Sequence, residues 1–204
     1  MLKVYGDIVS GNCYKVKLLL ALLGREHTWQ HVDIMRGEAN RAQFLSMNPN
    51  GKVPTVVLED GRILTESNAI LHYFAEGSRF LPQDPYLHAK VLQWQFFEQY
   101  SHEPYIAVAR FIAKYLGMPD DRREDFLAKQ AGGHKALHVM ETQLEQTPYL
   151  VGDQYTIADI SLYGYTHVAH EGGFDLARYP AIAAWLARIK QQPNHVTIEQ
   201  FLPQ

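Results

Sequence analysis

The sequence predicts two unlike halves: a compact α/β unit first, then an all-helical unit. Three observations carry that reading. Short β-branched and apolar runs alternate with helical patterns as far as Glu76. The stretch Glu76 to Leu87, with Gly77, Pro82 and Pro85, is turn-rich and reads as a linker. Beyond it, apolar and aromatic residues recur at helical spacing over long stretches. The expected domains are residues 1–77 and 86–204.

Leu2 to Tyr5 reads as a short strand and Gly6 to Asn12 as a loop. From about Cys13 the residues Val16, Leu19, Leu20 and Leu23 keep helical spacing until Gly24 ends the run. Thr28 to Ile34 reads as a second strand, and Arg41 to Met47 as a less regular helical piece. The order β-α-β, then α-β-β-α, is the pattern of a thioredoxin-like unit, so the expected fold is an α/β thioredoxin-like N-terminal domain with an all-α C-terminal domain. A strand-helix-strand start implies a right-handed crossover with parallel pairing.

The stretch Asn48 to Ser67 organises this unit. Asn48-Pro49-Asn50-Gly51 is a turn signal, and Thr55-Val56-Val57-Leu58 a strand. Proline cannot donate to a ladder, so Pro54 belongs at the strand's start. A cis Val53-Pro54 bond would turn the chain sharply and leave the Val53 N–H and C=O facing outward, where an extended peptide could pair with them. Asp60-Gly61 closes a hairpin onto Arg62-Ile63-Leu64. Glu66-Ser67 opens a helix with Ile70, Leu71 and Phe74 on its apolar face.

These residues carry a resemblance. Pro49-Asn50-Gly51-Lys52-Val53-Pro54 followed by Glu66-Ser67-Asn68-Ala69-Ile70 resembles the glutathione-binding half of a glutathione S-transferase. The resemblance implies that the Val53 backbone pairs with the cysteinyl unit of glutathione and that Glu66 and Ser67 hold the γ-glutamyl end. The chemistry of that end also stands alone. A helix N-terminus with a serine hydroxyl favours a carboxylate, and an adjacent glutamate pairs an ammonium. The bland alternative makes Thr65 or Ser67 an ordinary N-cap and Glu66 a first-turn acid.

The loop Ser10-Gly11-Asn12-Cys13-Tyr14-Lys15-Val16 follows the first strand, where a reactive centre sits in such sheets. By resemblance the hydroxyl that activates sulfur comes from this loop, as Ser10, with Asn12 as a second donor; the Ser10-x-Asn12 spacing also resembles a Thr-x-Asn bacterial class with glutathione-disulfide chemistry. A hydroxyl, an amide and the positive end of a helix all favour a thiolate over a thiol. The alternative is a plain N-cap for the first helix. Cys13, three residues on, reads as a buried, inert thiol and stays outside the catalytic set. Many relatives place a basic or polar side chain near the second helix for the glycyl carboxylate. Here Ala39 stands nearest that position, which leaves Arg36, Asn40 and, best, Lys52.

In the helical half, Tyr86 to Leu116 carries Trp94, Phe96, Phe97 and Tyr100, with a kink expected at Pro104. Asp121 to Glu145 is a second long helix with Gly132-Gly133 as its weak point. Thr156 and Asp159 have capping-box spacing, and Tyr155 and Ile160 that of a hydrophobic staple. Tyr179-Pro180 starts a last helix through Trp185 and Ile189, followed by a tail. His134, His138 and Glu141 share a helical face, but without an HExxH motif they read as a solvated face, and no metal is expected. By resemblance, Tyr105 is a wall of an electrophile pocket and Arg110 an anion-friendly group near it; the alternative for each is packing or a surface salt bridge.

The chain has 204 residues, a formal charge of −3 with acids and bases intermixed, and one cysteine. These exclude an intrachain disulfide and give no reason to expect nucleic-acid or membrane partners; a cytoplasmic protein is expected. The resemblance implies a homodimeric detoxification enzyme joining glutathione, its co-substrate, to a small hydrophobic electrophile. Two alternatives remain: a glutathione-dependent disulfide or peroxide reductase, and a non-enzymatic binding protein of the same fold.

Overall fold

The computed structural model describes residues 1–201, so residues 202–204 of the expected second domain lie outside the described residues. The chain divides into two compact units. One is Met1–Glu76 joined by the described residues from Pro193 on, and the other is Gly77–Gln192.

The first unit contains β1 (Lys3–Gly6), α1 (Gly11–Leu22), β2 (Thr28–His31), a short α2 (Ala42–Leu45), β3 (Thr55–Val57), β4 (Ile63–Thr65) and α3 (Ser67–Ala75). The strands form one sheet in the order β2-β1-β3-β4. β1 and β2 are parallel, as the strand-helix-strand start requires, and β3 and β4 add antiparallel. Alternation along β1 sends Val4 to one face and Tyr5 to the other. Val4 joins Leu2, Val16, Leu20, Val56 and Ile70 in the core beneath α1 and α3. Tyr5 packs with Val32, Ala39, Phe44 and Val53 on the opposite face. Ala39 is therefore a core residue, which explains why no polar side chain stands there. Helix α1 begins two residues earlier than its periodicity indicates, because Ser10 caps it. The segment from Pro193 also belongs here: the Tyr14 hydroxyl on α1 donates to the Val196 carbonyl at 2.8 Å.

The second unit contains α4 (Pro85–Phe97), α5 (Glu103–Arg110), α6 (Arg123–Leu144), α7 (Ile157–Thr166) and α8 (Pro180–Lys190). Two expectations need correction. The break in the first long helix precedes Pro104: a π turn spans Glu98–His102, and the proline sits in the first turn of α5. A missing N–H leaves an upstream carbonyl without its usual donor, and the wider turn absorbs that mismatch. Gly132 and Gly133 do not weaken α6, which runs unbroken through them. A Cβ at Gly132 would strike the Tyr105 ring and one at Gly133 the Phe174 ring, so the glycines permit close helix packing.

Helix α7 starts as its sequence requires. Thr156 and Asp159 complete the capping box, and the Asp159 carboxylate also accepts from Leu150 N at 2.9 Å and Trp185 Nε1 at 3.0 Å. Burial pushes this carboxyl up to about 6 against those hydrogen bonds. The His134, His138, Glu141 face is divided among other tasks. His134 Nδ1 bonds the Tyr179 hydroxyl at 2.8 Å, and Glu141 accepts from Ala181 N and Ile182 N at the head of α8. Among the described residues no helix is long and apolar enough to cross a membrane.

Candidate functional site

Four segments of the first unit meet in pairs: the β1–α1 loop with the head of α3, and the turn before β3 with the short helical turn Glu38–Asn40. Asp7 shapes the first. Its carboxylate accepts from Val9 N at 2.9 Å and Ile34 N at 3.4 Å, and its carbonyl accepts from Ser10 N at 3.3 Å. Ser10 is then the N-cap of α1, with Oγ accepting from Cys13 N at 3.4 Å. That bond uses a lone pair and leaves the hydroxyl proton to donate, so capping and donation to sulfur are compatible.

Asn12 stands one residue inside α1. Its Oδ1 accepts from Lys15 Nζ at 2.7 Å and from Ser67 Oγ at 3.2 Å. The second bond ties the β1–α1 loop to the head of α3. Cys13 is wholly buried, and burial pushes its thiol up to about 12 despite the Ser10 hydroxyl, the Asp7 backbone and the Lys15 charge. A thiol in that range is protonated and inert at neutral pH.

Asn48 builds the turn before β3. Its amide nitrogen donates to the Lys52 carbonyl at 2.8 Å and to Thr55 Oγ1 at 3.3 Å, while Oδ1 accepts from Asn50 N at 3.1 Å. The last is an Asx turn, the local bond for which asparagine is chosen in such loops. The Val53-Pro54 bond is cis. Strand β3 begins only at Thr55, and among the described residues the Val53 N–H and C=O take no hydrogen bond. Gly51, at φ 63°, is close enough to the Glu38–Asn40 turn that an added Cβ would lie 3.2 Å from Asn40 Oδ1. Asn40 and the exposed Lys52 thus flank one loop. Arg36 is paired with Asp33 at 3.4 Å.

At the head of α3 the bland reading can be weighed. Glu66 occupies the cap position, but no side-chain capping bond is made there. It sits at φ 66°, ψ 112°, a conformation that costs a non-glycine residue about 1–3 kcal/mol. Its carboxylate is exposed, and Ser67 spends its hydroxyl on Asn12 rather than on its own helix. Neither side chain is used to cap, so the Ser67 N–H at the head of α3 remains available to an anion.

Two predicted residues lie in the second unit, in different settings. Tyr105 packs over Gly132 with the Lys129 ammonium 5.8 Å from its ring centre. Arg110 is buried, with Nε donating to Glu171 at 2.6 Å; Lys114 reaches the other Glu171 oxygen at 2.8 Å. Burial raises the Glu171 carboxyl, but the Lys114 and Arg110 hydrogen bonds outweigh it and hold the group below its usual range. Arg110 is therefore engaged in an ion pair with Glu171. Lys15 and Asn48 are the residues that the sequence reading passed over. Asn48 was visible only as a turn former, and Lys15 as one of two lysines in the first helix, three residues after Asn12.

Comparison with known proteins gives a consistent result. Residues 9–76 match the family model described as Glutathione S-transferase, N-terminal domain, and residues 88–193 the one described as Glutathione S-transferase, C-terminal domain. The chain is 62% identical to a crystal structure of a glutathione S-transferase from Pseudomonas fluorescens Pf-5, with a TM-score of 0.95 over 97% of this chain and 98% of that one. It is 30% identical to the disulfide-bond oxidoreductase YfcG of Escherichia coli K12, over 89% of this chain and 87% of that protein. It is 31% identical to glutathione S-transferase 3 of Zea mays, over 94% of this chain and 90% of that protein.

Proposed function

This chain belongs to the glutathione S-transferase family, and from that premise we propose that its first unit binds glutathione and holds the thiol as a thiolate for attack on a small apolar electrophile. One observation carries the reading: Val53, Glu66 and the Ser67 N–H all present hydrogen-bonding groups that folding leaves unused. Val53 N–H and C=O pair with the cysteinyl unit as a strand edge pairs with a peptide. Glu66 takes the γ-glutamyl ammonium, and the Ser67 N–H at the head of α3 takes its carboxylate. Asn40 and Lys52 face the glycyl carboxylate. Ser10 and Asn12 donate to sulfur. The thiolate forms a bond to the electrophilic atom as the leaving group departs with its electron pair. Thiolate population and the proximity of two bound reactants supply the rate.

Tyr105 is proposed to contact the electrophile; Arg110 is not retained. The exposed Tyr73, Phe96 and Tyr100 support assembly as a homodimer through the faces of α3 and α4 and the π turn that follows α4. Sedimentation of the purified protein tests that assignment. The reading places the enzyme in the cytoplasm, in detoxification.

A second reading is favoured by Asn12 and by the YfcG relative. Here two glutathiones supply two electrons and two protons to a disulfide or peroxide and leave as glutathione disulfide. Conjugation of aromatic halides assayed beside disulfide reduction separates the two readings.

The central test is titration. Calorimetry measures glutathione affinity, and ultraviolet absorbance follows the bound thiolate against pH. Wild type lowers the thiol pKa, while Ser10→Ala raises it by about one unit, equivalent to about 1.4 kcal/mol, with affinity little changed. A protein that ignores glutathione removes the reading entirely. An unchanged thiol titration in Ser10→Ala removes Ser10 from it.

A further inference from the structure

We propose that Lys15 is a positioning residue for the thiol site, acting through Asn12; the inference rests on the function proposed above. Lys15 lies one turn into α1 and is 0% exposed. Its Nζ donates to Asn12 Oδ1 at 2.7 Å, and Ser67 Oγ donates to the same oxygen at 3.2 Å. Lysine has donors and no acceptor, so the Asn12 atom facing it must be the amide oxygen and cannot be the nitrogen. Two donors from two helices therefore fix the amide plane, and the N–H donors of Asn12 are turned away from both. Only in that orientation can Asn12 donate to a sulfur beside Ser10.

The charge of Lys15 acts in the same direction. It already favours the ionised form of the Cys13 thiol in the first turn of α1, where it is outweighed by burial. A glutathione sulfur at the Ser10 hydroxyl feels the same cation without that burial. Ionisable groups of this corner include Asp7 on the loop, Cys13 in the first turn of α1 and Glu66 at the head of α3. The network also joins the two ends of the bound tripeptide. Because Ser67 gives its proton to Asn12, one chain of hydrogen bonds runs from the γ-glutamyl site to the sulfur site.

A purely structural lysine would brace Asn12 within α1 and do nothing to sulfur. Lys15→Met keeps the apolar stem and removes the charge and the donors. In the folded variant the bound thiol's pKa rises by about one unit, leaving roughly tenfold less thiolate at neutral pH. The pH profile of kcat/KM moves alkaline by the same amount, and Lys15→Arg recovers most of the shift. A lowered unfolding midpoint with unchanged thiol titration overturns the proposal. Should Lys15→Met fail to fold, Lys15→Leu removes the charge and the donors with a shorter apolar side chain; an unmoved titration there overturns it equally. Wild type that does not bind glutathione brings down both this and the proposed function. Wild type with a lowered thiol pKa, beside Lys15 variants that do not move it, brings down this inference alone.

Discussion

Ser67 and Asn12, 55 positions apart, are joined by a hydroxyl-to-amide hydrogen bond of 3.2 Å that links the head of α3 to the loop carrying Ser10. Ser67→Ala removes that donor and leaves Asn12 oriented by Lys15 alone. The expected result is a glutathione affinity weakened by about 1 kcal/mol, roughly fivefold, with a smaller rise in the bound thiol's pKa. Calorimetry and thiolate titration of one preparation read both effects. A change in neither would mean that this bond serves folding only.

Glu66 predicts a conflict between stability and binding. Its φ of 66° suits glycine, so Glu66→Gly relieves strain that Glu66→Ala retains. The glycine variant should unfold at higher denaturant than the alanine variant, by about 1 kcal/mol. Both should lose glutathione affinity, having lost the carboxylate for the ammonium. Equal stability of the two variants would show that the backbone at this position is not strained.

Cys13 gives a pH signature. Its folded pKa is about 12 against a usual value of 9.0. The folded state thus keeps a proton that the unfolded state releases. This contribution to stability is complete below pH 9 and is lost as pH rises towards 12. Cys13→Ala should flatten that alkaline decline while keeping glutathione-dependent activity. In the native protein iodoacetamide should leave Cys13 unmodified at neutral pH and react once denaturant is added. Rapid native alkylation would contradict its burial.

Gly133→Ala tests the packing of α6. In an exposed helix interior this change stabilises by about 1 kcal/mol. Here the new methyl meets the Phe174 ring, so the variant should lose about 1–3 kcal/mol instead. Urea unfolding decides the sign, and a stabilised variant would show that the ring moves aside at little cost.

The fold was legible where one local rule decided the outcome. The Thr156–Asp159 box, the Asp60-Gly61 hairpin and the parallel strand-helix-strand start follow from local pattern alone. Sequence reasoning failed where a partner distant in the chain decided. Gly132 and Gly133 look like helix breakers until Tyr105 and Phe174 are seen against them. Arg110 reads equally as an anion-friendly group or half of a salt bridge until Glu171, 61 residues on, is found beside it. The groups at Val53, Glu66 and Ser67 stood out because their motif is compact. Lys15 did not, since a lysine in an amphipathic helix ordinarily faces water.

The Tyr14–Val196 bond has a practical consequence for anyone dissecting this molecule. A gene fragment ending at Glu76 would encode every strand of the sheet yet omit the stretch that α1 holds through its tyrosine. A faithful miniature of the first unit requires those last residues to be spliced back on, because its building material is drawn from both ends of the polypeptide.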